Sequence, residues 1–394
     1  MNSSTYPTSF ASPNRDSFAP VVTHAKGKIA WAKDIGLVTQ GGLSELLMLG
    51  QDIVVNSGFS FALFTPTGDK KWETKKGANG PVAIANSQVY YEAPGFVLES
   101  VDASGAKLLS RNPYPVGGND QTHATLLWPR EKDFVMATHL GSPQYDEEDP
   151  GDANMEQEIS GYRYLYGQRL PEWAKGFTGG QSLPPLFVPE KNRWIMSQPQ
   201  VTSIDLTDGT KAEFPIPLDA YVAWSADAAG IFVVLGAQMK KQTMVALASD
   251  GKELWRFVNP DPTGAWVPNL PPARSRDGKV WALTQRQVLA IADGKLLWIY
   301  DLADEAVRAG AKLHATGSLT DKDGHPVLLD KPAFVTVLAD GSILFVAGNG
   351  LRKLDPAGRQ SFLLRAQAPI IAPAVVDPSG AIYLLTATQL VRVD

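Results

Sequence analysis

The side chains that most often do chemistry are few in this sequence. Five histidines stand at His24, His123, His139, His314 and His325. None falls in a spacing such as H-E-x-x-H, where two imidazoles one helical turn apart face the same ion. His24 lies in a polar N-terminal stretch. The others read as loop histidines, with His123 and His139 able to approach each other across a blade of sheet. The 394 residues include no cysteine. That removes disulfides, thiolate zinc sites, iron–sulfur clusters and thiol nucleophiles together. Carboxylates are plentiful, so pairs of them are weak evidence for acid–base work. The densest run is Asp146, Glu147, Glu148 and Asp149, followed by Asp152, Glu156 and Glu158. It lacks the D-x-D-x-D-G spacing of an EF-hand loop. Two readings stand: a solvated acidic loop, or a docking surface whose charge steers a basic partner. The Gly-Gly pairs at 41–42, 117–118 and 179–180 read as turns and not as a phosphate cradle. No catalytic, cofactor-binding or metal-binding set is therefore assigned.

Whatever acts must be positioned by a β-rich scaffold. Gly 35 and Pro 29 give a chain rich in turns, hence in short strands. Hydrophobic residues make up 44% and charged residues 20%, ordinary for a globular protein. The net charge of −5 gives no support to a nucleic-acid binder, which normally carries a basic face. No apolar run reaches the ~20 residues that span a bilayer. Residues 1–25 are rich in Ser, Thr, Pro and Asn and read as a flexible, solvated leader. Either it is an ordinary disordered terminus, or it once followed a removed signal and lipid anchor.

A phrase repeats along the chain. It is Gly-x-x-x-Trp, at Gly27 and Trp31, Gly68 and Trp72, Gly251 and Trp255, and Gly294 and Trp298. Weaker copies keep the glycine and place an apolar residue nearby: Gly105 with Leu108 and Leu109, Gly209 with Phe214, and Gly358 with Phe362. Gly167, followed by Trp173, is an irregular copy. Successive glycines are 41, 37, 62, 42, 42, 43 and 64 residues apart. Each period holds four short β-rich runs separated by turn residues, as in AFVTVL, SILFVA, LRKLD and QSFLL at 333–364. Four strands in a period of about 42 is the signature of a β-propeller. The spacing predicts eight blades, or seven if the segment 124–180 is not a full blade. The glycine makes the turn into the outermost strand, and the tryptophan on that strand covers the neighbouring blade.

The C-terminal TQLVRVD ends as a third strand, and KGKIAWAKD at 26–34 is a fourth strand with none before it. The two complete one blade and close the ring, which removes exposed sheet edges. The reading is a single propeller over 26–394 with insertions near 142–161 and 301–333. The second insertion carries DLADEAVRAGAKLHA at 301–315, a helical pattern with acidic residues at its start. The run Tyr162, Tyr164, Tyr166 alternates as on a strand.

The Asp-x-x-Gly-Lys-x-x-Trp phrase resembles the repeat of the PQQ-like, quinoprotein-type propellers over residues 26–394. That family includes quinone-dependent dehydrogenases and non-enzymatic members, among them the lipoprotein of the outer-membrane β-barrel assembly machinery. The resemblance implies, for the dehydrogenase branch, a vicinal Cys–Cys disulfide against the quinone, which a chain without cysteine cannot supply. The polar leader and the strand-final C-terminus are similar to the non-enzymatic branch. The expectation is a non-catalytic binding or scaffold protein of the bacterial envelope, periplasmic or anchored to the outer membrane, monomeric and without cofactor. It would meet a protein partner, a basic one in the docking reading of the acidic run, through loops on the propeller faces, with Asp146, Glu147, Glu148 and Asp149 foremost. The alternative is an enzyme or carbohydrate-binding protein using the central channel.

Overall fold

The computed structural model describes residues 18–394 except 38, 40–43, 58–59, 75–81, 94–96, 112–121, 130–132, 141–157, 166–172, 179–182, 189–190, 198–199, 228, 262–263, 269 and 315–317. At 92, 97, 109–185 and 196–197 it describes the backbone alone.

Short apolar runs with a period of two, each closed by a turn, can bury both sheet faces only by stacking on copies of themselves. They do so here. Blade 1 is a meander of Glu45–Leu49, Asp52–Asn56, Phe61–Phe64 and Lys70–Glu73. Blades of the same order follow over 83–111, 122–178, 183–214, 220–258, 273–301 and 332–365. The eighth sheet takes three strands from 375–393 and its outermost strand, Ile29–Asp34, from the other end of the chain. Among the described residues there are thus eight four-stranded antiparallel sheets. The irregular segment 124–180 is a full blade.

The closing register pairs Ile29 with Val393, Trp31 with Arg392 and Asp34 with Gln389, with a bulge between Ile29 and Trp31. Lys28 N–H donates to the Asp394 carbonyl (3.1 Å), and Asp394 N–H donates back to Lys28 (2.9 Å). One apolar cluster runs through this junction, joining Leu344 and Leu351 of blade 7, Tyr383 and Leu390 of blade 8, and Met48 and Val55 of blade 1. Other clusters are shared by blades 1 and 2, 4 and 5, 5 and 6, and 6 and 7. The core is therefore a set of interfaces between blades. First strands of neighbouring blades also touch, which makes them the inner wall of the ring. Hydroxyls on that wall link blades: Ser225 donates to the Pro272 carbonyl (2.7 Å) and Thr336 to the Ala374 carbonyl (3.0 Å).

The repeated Gly and Trp meet across blades. A methyl group at Gly68 would lie 2.8 Å from the Trp31 ring of the preceding blade, and one at Gly358 would lie 2.6 Å from the Trp298 ring. Both glycines have left-handed backbone, φ +80° in each case, a region that favours glycine. Trp72 packs on Gly105 in the same way, Phe214 and Phe362 take the ring's place at Gly251 and Gly27, and at Gly294 the closest groups are the Arg256 carbonyl and the Trp255 Cβ. Trp72 Nε1–H donates to the Ala103 carbonyl, and Trp298 Nε1–H to the Pro356 carbonyl, each at 3.0 Å. So the glycine is required twice, for the turn and for the ring that lies on it.

Two expectations are corrected. The leader was placed at 1–25, but residues 18–25 are packed against the ring. Ala19 and Thr23 are buried, Ala19 N–H donates to Val337 (2.7 Å), and Ala339 N–H donates to Val21 (2.9 Å). Thr23 Oγ1–H donates to the Gly380 carbonyl (2.5 Å). Small or β-branched side chains let this strap lie close on the turns of blades 7 and 8. Residues 1–17 lie outside the described residues. The second correction is the helix, expected over 301–315. It is α1, Leu302–Arg308, capped by Asp301, whose carboxylate accepts from Ala303 N–H (2.8 Å). Gly310, at φ +102°, ends it. The chain then forms a small hairpin of Lys312–Leu313 and Leu319–Thr320.

Candidate binding face

Strand direction sorts the loops. In every blade the first-to-second and third-to-fourth turns open on one face. The second-to-third turns and the blade-to-blade connections open on the other, here called the crossover face. The strand ends that each insertion joins open on the crossover face. The first joins strands Asp133–Leu140 and Glu158–Leu165 of blade 3, and the second joins blade 6 to blade 7.

Asp146, Glu147, Glu148 and Asp149 lie outside the described residues. The strand ends that bracket them, Leu140 and Glu158, are register partners. Tyr162 and Tyr164 fall two apart on Glu158–Leu165, so the alternation expected of them holds for the backbone; Tyr166 lies outside the described residues. His123 and His139 are direct register partners on adjacent strands of blade 3. His24 is exposed in the strap. His314 Nε2 is 2.9 Å from Thr320 Oγ1 across the hairpin.

The second insertion builds a cleft of ≈ 480 Å³. One wall is α1 with Leu302, Ala306 and Ala309. The return of the chain supplies Val327, Leu328 and Leu329, and blade 7 supplies Arg352 and Arg365. Polar groups pin the walls together. Arg352 is almost wholly buried and grips Glu305 with two bonds, Nε to Oε2 at 2.6 Å and Nη2 to Oε1 at 2.8 Å. Tyr300 O–H also donates to Glu305 (2.6 Å), and Arg365 reaches Asp330 (3.1 Å) and Glu305 (3.8 Å). Burial opposes ionisation of Glu305. The bonds from Arg352 and Tyr300, with the charges of Arg352 and Arg365, outweigh it and hold the carboxyl below its usual range. Burial and the Glu305 carboxylate push the Tyr300 phenol up. Glu305 and Arg352 are thus held as an ion pair, and the group acts as a clamp between insertion and blade.

Asp321, Asp323 and His325 gather at the cleft's edge, with their ligand-type atoms within 4.8 Å of one another. The Asp321 carboxylate is engaged by its own turn, accepting from Asp323 N–H (2.8 Å) and His325 N–H (2.9 Å). The same turn recurs at Asp355, which accepts from Ala357 and Arg359 N–H, where it only links two strands.

One carboxyl stands apart. Glu45 begins the inner strand of blade 1 on the crossover face, at the mouth of the channel. Its Oε2 accepts from Asn56 Nδ2 (3.0 Å) and Val82 N–H (3.4 Å). Glu45 is half-buried, with its carboxyl turned in toward Asn56 and Val82. Burial pushes its pKa up to about 7, against the lowering effect of those two bonds.

Reasoning from sequence missed the clamp and Glu45. The clamp's members come from α1, from residue 330 and from 352–365, and no spacing connects them. Glu45 looks like any polar residue at a strand's start.

No protein-family model matches this chain, and no curated protein matches it in sequence. Among solved structures it is similar to the quinohemoprotein alcohol dehydrogenase of Comamonas testosteroni, at 11% identity and TM-score 0.67, over 100% of this chain and 81% of that one. It is also similar to a europium-containing methanol dehydrogenase, at 10% identity and TM-score 0.61, over 98% and 89%. The quinohemoprotein alcohol dehydrogenase ADHIIG of Pseudomonas putida HK5 matches at 10% identity and TM-score 0.62, over 100% and 80%. At such identities the likeness is one of fold: this chain is a β-propeller with the architecture that those dehydrogenases share.

Proposed function

We propose that this chain is a non-catalytic binding or scaffold protein of the bacterial cell envelope, which engages a protein partner through loops on the crossover face. One observation carries the reading. The cleft on that face is built where the chain leaves its repeat, and Glu305, Asp330, Arg352 and Arg365 in its lining are spent on holding the insertion to blade 7. A nucleophile or general base needs an uncommitted atom aimed at substrate, whereas a binding face needs shape held rigid. The absence of cysteine further supports a role distinct from that of a dehydrogenase with a vicinal disulfide. The envelope placement is supported by the polar composition of residues 1–17 alone. The acidic run Asp146–Asp149 belongs to a connection on the same face, which supports steering of a basic surface of the partner.

The test is affinity capture with the full chain from envelope extract, followed by association kinetics with the captured protein. Replacing Asp146, Glu147, Glu148 and Asp149 by Asn and Gln should slow association at low salt and leave unfolding unchanged. A chain that captures nothing, yet turns over or binds a sugar or alcohol, would overturn the reading.

A second reading has its own observation. Glu45, at the channel mouth with a pKa near neutrality, is the kind of group that a channel-based enzyme or carbohydrate-binding protein uses. It would show as a ligand affinity or turnover that titrates near pH 7 and is lost in Glu45→Gln.

A further inference from the structure

We propose that residues 18–24 are a releasable ligand held in cis, and that the seat beneath them is a docking site for an extended protein segment with an aromatic residue, a small residue next to it and a threonine four residues on. The seat lies on the face opposite the crossover face and is independent of what docks beside the insertions.

One occupant is seen in place. The strap crosses the first-to-second turns of blades 6, 7 and 8. Ala19 N–H donates to the Val337 carbonyl (2.7 Å), Ala339 N–H to the Val21 carbonyl (2.9 Å) and Thr23 Oγ1–H to the Gly380 carbonyl (2.5 Å). Lys353 Nζ of blade 7 donates to the Thr23 carbonyl (2.8 Å). Three side chains are read as well. The Phe18 ring meets the Arg276 guanidinium at 4.8 Å and packs on the core shared by blades 6 and 7. Ala19 is wholly buried, so a larger side chain has no room there, and the Thr23 hydroxyl is buried on its acceptor. Pro20 and His24 are exposed. Main-chain bonds to an extended segment, with side-chain slots at fixed spacing, are the chemistry of a peptide-recognition groove.

The seat is built without the strap. In the blade 8 turn, Asp377 N–H donates to the Ala381 carbonyl (3.0 Å) and Gly380 N–H to the Asp377 carbonyl (2.9 Å). The blade 6 turn makes the same two bonds, Ser275 N–H to Lys279 (3.0 Å) and Gly278 N–H to Ser275 (3.2 Å). Gly278 and Gly380 share left-handed backbone, φ +85° and +87°. They differ in what covers them. Among the described residues, no atom lies within 4 Å of a methyl placed on Gly278, whereas one on Gly380 would lie 3.0 Å from the Val22 carbonyl oxygen and 3.3 Å from His24 N. The repeat therefore writes this turn whether or not a strap lies on it, and the seat keeps its shape when the strap leaves. Ring closure is separate, because Ile29–Asp34 holds blade 8 through its own register with Gln389–Val393. At rest the tethered strap fills the seat at an effective concentration of about millimolar, so a segment in trans must displace it.

The experiment is anisotropy titration of the full chain into a labelled peptide with the sequence of residues 16–25. Ala19→Arg together with Thr23→Val in the chain unseats the strap and leaves the seat intact, and this variant should bind the peptide at least tenfold more tightly than the wild type does. A peptide that itself carries Thr23→Val should bind the variant at least tenfold more weakly. Adding Gly380→Ala to the variant chain should weaken binding at least tenfold, while Gly278→Ala, the same backbone strain at an uncovered turn, should leave it unaltered. Hydrogen exchange on the wild-type chain requires no substitution. Ala19 and Ala339 N–H should exchange together, and faster than Ile35 N–H, which the Thr388 carbonyl holds at the end of the closing strand (3.0 Å). No binding by the unseated chain, equal binding by it and the wild type, or equal effects of Gly380→Ala and Gly278→Ala would overturn the proposal. Strap amides that exchange no faster than Ile35 would overturn it too, because the strap would then be a fixed part of the ring.

Discussion

Replacing Gly358 by Ala isolates the physical reason for the repeat. At this position the backbone has φ +80°. Moving from Gly to Ala in left-handed backbone costs about 1–2 kcal/mol. The new methyl would also lie 2.6 Å from Trp298 Cδ2 and 2.9 Å from Cε3. The indole cannot simply swing aside, because its Nε1–H is held by the Pro356 carbonyl at 3.0 Å. Overpacking of this kind costs about 1–3 kcal/mol. The sum is a loss of about 2–5 kcal/mol. Gly278 supplies the control, since it has φ +85° with no atom within 4 Å of its methyl position. Gly278→Ala should therefore cost only the backbone part, about 1–2 kcal/mol. In a Trp298→Ala background the clash is gone, and Gly358→Ala should fall to the same value. Trp298→Ala itself should cost less than the 3–5 kcal/mol typical of a buried ring, because the ring is only half-buried. Denaturant unfolding, followed by fluorescence and circular dichroism, gives the cycle. Equal costs for Gly358→Ala and Gly278→Ala, or no coupling to Trp298, would refute the account of why glycine and tryptophan recur together.

Further expectations follow from the strap, the clamp and Glu45. Removing residues 1–34 deletes the outer strand of blade 8 and should destabilise the ring far more than removing residues 1–25, which loses only the strap; equal melting temperatures would contradict the closure seen at Ile29–Asp34. Glu305→Gln should cost about 3–5 kcal/mol, because it leaves Arg352 buried without its counter-ion. The Glu305 carboxyl is lowered from 4.5, so its contribution is full above about pH 4.5 and is lost as pH falls through the folded value; the variant should lack that acid-side loss. Glu45 has the opposite sign. Its carboxyl rises from 4.5 to about 7, so stability should fall as pH climbs through that window, by about 3 kcal/mol. Glu45→Gln should flatten the profile between pH 5 and 8, and an unchanged slope would place the carboxyl in water.

Much of the scaffold was legible because propeller information is local. Asp340-Gly341 and Pro356-Ala357-Gly358 announce turns, and strands of four to seven residues alternate between them. The closing strand was legible for the same reason, since KGKIAWAKD and TQLVRVD are each a recognisable fragment of one blade. The strap was not legible. The stretch 1–25 that contains it is rich in Ser, Thr, Pro and Asn and reads as solvated, and only the nearness of Val337 and Gly380 in space orders Ala19 and Thr23. Helix length was overstated because Gly310 interrupts a pattern that otherwise continues. The clamp was hidden by distance along the chain: Glu305 and Arg352 are 47 residues apart, and LRKLD shows nothing to mark its arginine as buried. Charge density drew attention to Asp146–Asp149. Exposure of Leu328 became visible only when the insertion was seen folded.

The central claim is that a protein partner docks on the crossover face, and photo-crosslinking tests it most directly. A photoreactive residue at Leu328 reports on the crossover face, and one at Asp277, in a first-to-second turn of blade 6, reports on the opposite face. Both positions are exposed, so neither replacement disturbs packing. With captured partner added to the full chain, position 328 should give a strong adduct, and position 277 should give none. An adduct at 277 and none at 328 would contradict the account, because the partner would then dock on the side where neither insertion lies.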